Sequence, residues 1–189
     1  MYNAVNPVFY NKKMRKYFVK LTNPEGKVIV DLGCGTGYTT IELLKQNISG
    51  EIIGIDLTLA QLFKAQMIVK VMKENYRTHF IIADVEHLPL RSNVTSTVIS
   101  AGLVEFLPNP VKAYREMRRV SKKGGKTAIL APRLLKSPII RVLARIMMYF
   151  WTETEAWEDL RTAGFREINL YGDGPKWFRK LVLIAIAKK

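Results

Sequence analysis

The chain has 189 residues, enough for one domain of ordinary size with a real core, and 48% of them are hydrophobic, which excludes a disordered polar chain. Its single cysteine, Cys34, excludes a disulfide framework and any multi-cysteine metal site, and it suits a reducing compartment. Thirty basic side chains against sixteen acidic ones give a formal net charge of +14, a field that favours anionic partners or serves solubility alone. The first residues, MYNAVNPVFYNKK, hold no apolar h-region, so no signal peptide is expected. The longest apolar runs, such as Leu181–Ala187, are too short to span a bilayer, and the protein is expected to be cytoplasmic.

Lys27–Leu32 (KVIVDL) reads as a buried strand and Tyr38–Gln46 as a helix. Glu51–Asp56 (EIIGID) is a second strand. Thr58–Tyr76 has helical spacing of Leu59, Leu62, Phe63, Met67, Val71 and Met72. Thr78–Ala83 and Val94–Ser100 are the third and fourth strands. Pro110–Ser121 is a helix, and Lys126–Ala131 is a fifth strand after a Gly124-Gly125 turn. Glu153–Ala163 is a helix closed by Gly164 as a left-handed cap. Phe165–Tyr171 and Phe178–Ala187 then read as two strands. The alternation predicts an α/β fold with a mostly parallel sheet, helices on both faces and a hairpin at its edge.

Two segments, 1–22 and 133–151, lie outside this strand–helix alternation. Residues 1–24 carry five basic side chains and no acid; from Lys112 to Arg145 there are eleven basic residues and one acid, Glu116. Ile139, Ile140, Leu143, Ile146, Met147 and Phe150 recur at helical spacing, with Arg141 and Arg145 four apart on another face. This predicts an inserted amphipathic helix, which can serve as a lid, lie on an anionic membrane or simply pack in the core.

The strongest local signal is Asp31-Leu32-Gly33-Cys34-Gly35-Thr36-Gly37, directly after the first strand. Glycines here let the backbone turn tightly and approach a ligand closely. The end of a strand in an open α/β sheet is where ligands bind. The spacing G-x-G-x-G is not the dinucleotide pattern G-x-G-x-x-G, and no Gly-Lys-Ser/Thr follows for a phosphate loop. Asp56, ending the second strand, can accept from two ribose hydroxyls or cap the next helix. Asp84, ending the third in ADVEHLP, can accept from an adenine amino group or shape a turn. The three signals fall in order on successive strand ends.

With these residues in place the sequence resembles the class I S-adenosylmethionine-dependent methyltransferases. The motifs are VIVDLGCGTG (28–37), IIGID (52–56), ADVEHLPL (83–90), VEFLPNP (104–110) and RRVSKKGG (118–125). They are similar to the branch holding quinone-biosynthesis C-methyltransferases and many small-molecule and lipid methyltransferases. The resemblance implies a single domain over 1–189 with a Rossmann-like three-layer sandwich: a seven-stranded, mostly parallel sheet with a reversed C-terminal hairpin. It implies S-adenosylmethionine as cofactor. Gly33, Cys34, Gly35 and Gly37 would line its methionine part, with Asp31 orienting it. Asp56 would hold the ribose, Leu57 would pack on the adenine, and Asp84 and Val85 would read the adenine edge. Ser100 and Ala101 would lie near the methionine end. Segments 1–22 and 133–151 would be a cap and a lid. Where the family often has a histidine and Pro-Asp-Pro, this chain has Phe106 and Asn109.

A sulfonium carries its own driving force, so the protein must mainly align acceptor and methyl group. A base is needed only where the acceptor must lose a proton. Glu105 is the candidate catalytic residue, with His87, Tyr2 and Tyr10 as further possible bases; no metal is expected. The expected acceptor is a small or lipid-like molecule, with contact to an anionic membrane through 133–151. The alternatives are an RNA or protein methyltransferase using the basic surface, and a non-catalytic cofactor-binding module.

Overall fold

The structure, a computed structural model, describes residues 10–46, 48–134, 151–172 and 181–189. The β-branched run that follows Lys27 forms β1 (Val28–Leu32), in the interior of the sheet. It pairs in parallel with β2 (Glu51–Asp56) on one side and β4 (Thr95–Ala101) on the other. β3 (Thr78–Ile82) extends the sheet beyond β2, and β5 (Ser121–Pro132) extends it beyond β4, both in parallel. β7 (Val182–Lys188) runs antiparallel to β5 and to β6 (Glu167–Tyr171). The order β3-β2-β1-β4-β5-β7-β6 is the expected seven-stranded, mostly parallel sheet with its reversed ending.

Because side chains alternate along a strand, the interior strands feed two cores. Ile29 and Ile99 face α1 (Lys12–Thr22), α2 (Tyr38–Lys45) and α3 (Leu59–Val71), where Phe18, Leu43 and Val69 meet them. Val30 and Val98 face α4 (Pro110–Val120) and α5 (Glu153–Thr162), where Tyr114, Trp151 and Phe165 are fully buried. The three-layer sandwich follows. Thr152 and Glu155 form a capping box that starts α5, and Gly164 at φ 94° ends it in the expected left-handed conformation.

Several boundaries differ from the sequence expectation, each for a local reason. Residues 12–22, expected outside the strand–helix core, form a helix of it, with Met14, Phe18 and Val19 fully buried. The fifth strand starts at Ser121, not Lys126: the expected turn is an irregularity inside a longer strand, where the register against β4 shifts and Gly124 sits at φ 73°. α3 stops at Val71 instead of Tyr76. Lys73 enters the left-handed region at φ 59°, its N–H donates to the Lys70 carbonyl, and the Glu74 N–H donates to the Val69 carbonyl. This is a Schellman stop built without glycine.

Most of the expected 133–151 helix lies outside the described residues, as do Ile139, Arg141, Arg145 and the rest of that stripe. Its two ends are described, and they meet. The Leu134 N–H donates to the Trp151 carbonyl at 2.8 Å and the Trp151 N–H to the Pro132 carbonyl at 3.0 Å. The segment therefore leaves and rejoins the fold at the C-terminal end of β5. Tyr2 and the first nine residues also lie outside the described residues, as do 178–180 of the last expected strand.

Candidate functional site

The C-terminal ends of β1, β2, β3 and β4 lie along one edge of the sheet, as parallel pairing requires. β1 runs directly into the glycine loop. Gly33, Gly35 and Gly37 have φ of 66°, 54° and 82°, values that side-chain-bearing residues rarely adopt. A Cβ on Gly33 would lie 2.9 Å from the Leu103 side chain, and one on Gly37 would lie 3.0 Å from the Ala65 Cβ. The loop is fixed to the end of β2: the Gly33 and Cys34 N–H groups both donate to the Ile55 carbonyl, at 2.8 and 3.1 Å. Cys34 contributes backbone only. Its thiol is buried, and burial pushes its pKa up, assisted by Asp31 and Asp56.

Asp56 ends β2 with both carboxylate oxygens engaged. Oδ2 accepts from the Gly35 N–H and Oδ1 from the Thr58 N–H, each at 2.9 Å. One carboxylate thus joins the glycine loop to the entrance of α3 while each oxygen keeps a free lone pair. Asp84 follows β3 in a similar turn, its Oδ1 accepting from the Glu86 N–H at 2.9 Å. His87 lies 3.5 Å from the same carboxylate and is well exposed, so it shapes this turn rather than facing a buried acceptor.

The turn is held from behind. Glu116 accepts from the Leu88 N–H and pairs with Arg119, which donates to the Leu88 and Leu90 carbonyls at 3.0 and 2.7 Å. A residue counted in the basic field is therefore a clamp on the loop that carries Asp84.

A cavity of about 230 Å³ opens between these strand ends. Gly33, Asp56, Leu57, Asp84 and Val85 line it, with Leu57 70% exposed at its rim. Thr58, Gln61, Ala83, Gly102, Leu103, Phe106 and Leu107 complete the wall. These are lining residues that the sequence reading missed. The weakness of their signal is plain: Gly102 is one glycine after a strand, and Gln61 is one of several polar residues in its helix. The Oε1 atom of Gln61 is buried and accepts no hydrogen bond among the described residues. Ser100 and Ala101 do not line this cavity. The Ser100 hydroxyl donates to the Leu32 carbonyl at 3.0 Å, tying β4 to β1, and the Ala101 methyl belongs to the core under α1.

Beyond the glycine loop, on the α1 side, lies a buried polar cluster. Asp31 is 1% exposed; Thr40 donates to its Oδ2 at 2.7 Å, and its Oδ1 has no partner among the described residues. Burial raises its pKa to about 7, against the opposing effects of the Thr40 bond and the Arg15 charge. Glu105 sits in a short 3₁₀ turn, Val104–Phe106, and is also buried. Tyr10 donates to its Oε1 at 2.5 Å, its Oε2 has no partner among the described residues, and burial raises its pKa to about 7.

Arg15 sits between the two acids. It donates to the Tyr10 carbonyl and to Thr39 Oγ1, at 2.9 and 2.7 Å, and its guanidinium lies 5.6 Å from the centroids of the Tyr10 and Tyr38 rings. The Tyr10 ring also meets Gly102, where a Cβ would lie 2.9 Å from it. The N-terminal segment therefore reaches the site through Tyr10 and Arg15. The helix phase held the clue, since Arg15 follows Met14 and lies on the face of Phe18 and Val19.

Chemically, the site has two unlike halves. The open cavity offers carboxylates and backbone groups to hydroxyl and amine donors. The buried cluster holds two carboxylates near the Arg15 charge, each with one oxygen that accepts no hydrogen bond among the described residues.

A family model described as a methyltransferase domain matches residues 23–162. A chloroplastic 2-methyl-6-phytyl-1,4-hydroquinone methyltransferase of Spinacia oleracea is 32% identical over 179 residues, covering 94% of this chain and 51% of that protein. A demethylmenaquinone methyltransferase of Lactobacillus johnsonii is 30% identical over 143 residues, covering 75% of this chain and 59% of that one. The chain thus spans about half the length of the first of these curated relatives. Among solved structures, phosphoethanolamine N-methyltransferase 2 of Haemonchus contortus, in complex with S-adenosyl-L-methionine, superposes with a TM-score of 0.80. At 16% identity, over 100% of this chain and 56% of that one, the likeness is one of fold.

Proposed function

The chain belongs to the class I S-adenosylmethionine-dependent methyltransferases, and we propose that it methylates a small, lipid-like acceptor of the prenylated hydroquinone type. The observation that carries the cofactor reading is the unsatisfied Asp31 Oδ1, buried behind a glycine cradle that side chains would fill. A buried carboxylate oxygen without a partner is costly, and a ligand ammonium would relieve the cost. Asp31 would receive the amino group of S-adenosylmethionine, with Gly33, Gly35 and Gly37 giving its chain close access. Asp56 would accept from the ribose hydroxyls. Leu57 would cover the adenine, while Asp84 and the backbone N–H of Val85 read its edge. When bound, S-adenosylmethionine supplies an electrophilic methyl group on a sulfonium.

The protein's own chemical work is positioning and proton transfer. Methylating a hydroquinone ring carbon displaces a proton, and Glu105, with a pKa near 7, is suited to take it. Tyr10 fixes the orientation of that carboxyl, and Arg15 holds Tyr10 in place. The acceptor class rests on the hydroquinone and menaquinone methyltransferases that resemble this chain along most of its length. Several basic residues that suggested RNA are engaged within the fold: Arg118 donates to the Gly164 carbonyl, Arg119 clamps the Asp84 loop, and Lys126 pairs with Glu25. This favours a small acceptor over a polyanion.

The test is methyl transfer from labelled S-adenosylmethionine to prenylated hydroquinones dispersed in detergent. Labelled product is expected, with Glu105→Gln lowering kcat by roughly 10²-fold while S-adenosylhomocysteine still binds. The rising limb of the kcat profile near pH 7 should vanish in that variant. Cofactor binding without any methylated quinol would overturn the acceptor. Equal loss of turnover and cofactor affinity in Glu105→Gln would make that residue structural.

A further inference from the structure

Helix α3 is apolar on both its sides. Leu62, Ala65 and Val69 are buried against the sheet. On the outer side Leu59, Phe63, Met67 and Val71 recur every four residues and are 64%, 61%, 49% and 81% exposed. The only charges on the helix are Lys64 and Lys70, both exposed on that outer side; it carries no acid. The solvent side of an ordinary surface helix is polar, and a large exposed apolar patch marks an interaction site.

The patch has neighbours of the same character. Leu57, at the rim of the cofactor cavity, precedes it, and Tyr76, 73% exposed, follows it. A groove of about 690 Å³ between α1, α2 and α3 is lined in part by Ile41, Ile68 and Met72, with Lys12 and Lys45 at its edge. Its one acid, Glu42, pairs with Lys45 at 3.8 Å.

We propose that this outer side of α3 is an in-plane contact with an anionic bilayer. Phe63, Met67 and Val71 enter the headgroup boundary, and Lys64 and Lys70 meet lipid phosphates. Charge complementarity selects this occupant. A second copy of the chain would bring another +14 and, from the same helix, no carboxylate for either lysine. An anionic lipid surface meets both the apolar stripe and its cations. Among the described residues no helix is long and apolar enough to cross a membrane, and α3 has 13 residues. The inference extends the lipid-like acceptor reading, because such an acceptor resides in membranes, but its test uses no acceptor.

The experiment is flotation of the full chain with vesicles of phosphatidylcholine, alone or mixed with phosphatidylglycerol, at low and high salt. Binding is expected only to the anionic vesicles and only at low salt. Lys64→Glu with Lys70→Glu, and separately Phe63→Ser with Met67→Ser, should each lower the bound fraction roughly tenfold or more. S-adenosylhomocysteine affinity should be unchanged in both, showing that the fold is intact. The proposal fails if the chain stays unbound at low salt, or if both double variants float like the parent. It also fails if only Arg141→Glu with Arg145→Glu abolishes binding, which would place the contact on the 133–151 segment. Sedimentation as a dimer that Phe63→Ser dissociates would assign the face to a second copy. Because methyl transfer is assayed in detergent, failure here leaves the acceptor reading standing on its own test.

Discussion

The two halves of the site are prepared in opposite ways. In the cavity half, Asp56 and Asp84 are already hydrogen-bonded to backbone N–H groups, so they help build the loops they sit on. In the buried half, Asp31 and Glu105 each leave one oxygen without a partner among the described residues. The fold is helped by the first pair and burdened by the second. On the proposed reading, residues that serve folding and residues that serve a ligand separate within one cleft, because only the latter carry an energetic cost within the fold itself.

The largest effect that separates them should come from Asp31→Asn. Losing a charge-assisted contact to an ammonium should cost roughly 2–3 kcal/mol of S-adenosylhomocysteine affinity, on the order of a hundredfold by calorimetry. Thermal unfolding of the unliganded variant at pH 8 should be no earlier than in the parent, since a buried carboxylate has been neutralised. Earlier unfolding with unchanged affinity would return Asp31 to a purely structural role and erase the contrast.

Asp56→Ala should lose both quantities at once. We expect roughly 1–3 kcal/mol of cofactor affinity lost and a lower unfolding midpoint, because the Gly35 and Thr58 N–H groups lose their acceptor. Intact affinity would mean that Asp56 does not hold the ribose.

The smallest effect is a pH dependence whose sign differs between stability and binding. Asp31 and Glu105 have pKa values near 7 when folded, above their usual values of 3.8 and 4.5. The folded chain therefore holds protons that the unfolded chain has released, and stability of the unliganded protein should fall as pH rises from about 4 through about 7. Binding of an ammonium requires ionised Asp31, so cofactor affinity should rise over the same range, about tenfold between pH 6 and 8. Calorimetry in buffers of different ionisation enthalpy should record proton release near pH 6.5. Parallel rather than opposed trends would break the comparison.

The cavity half was largely legible in the sequence, because its signals are local. A glycine triplet after a β-branched run and two acids on the following strand ends need only strand order to be assembled. Alternation gave a mostly parallel sheet with a hairpin at its edge, and the resemblance implied seven strands with a reversed ending, but neither fixed the strand order. The buried half was not legible in the same way. Arg15 stands in the run Lys12-Lys13-Met14-Arg15-Lys16, where composition reads as surface, and only its phase with Phe18 and Val19 turns it inward. Tyr10 and Glu105 are 95 residues apart, a pairing no short motif announces. The spacing in α3 predicted a helix, but apolar residues all round could not tell the buried side from the exposed one. The Schellman stop at Lys73 was hidden because the residue carrying it is not glycine.

The reversed strand has a consequence for how the molecule is made. β6 precedes β7 in the chain, yet β7 lies between it and β5. As synthesis proceeds, β6 emerges before its partner β7, because the open edge of β5 is the place of β7 and not of β6. β7 then closes its hydrogen bonds with both neighbours at once, joining Lys126–Pro132 on one side to Glu167–Tyr171 on the other. Until that moment β5 remains an open edge, a template for another nascent chain. Completion of the sheet therefore waits on the pairing of β7 with β5, a long-range step, and an uncovered β5 edge before that step is a feature that invites pairing between chains.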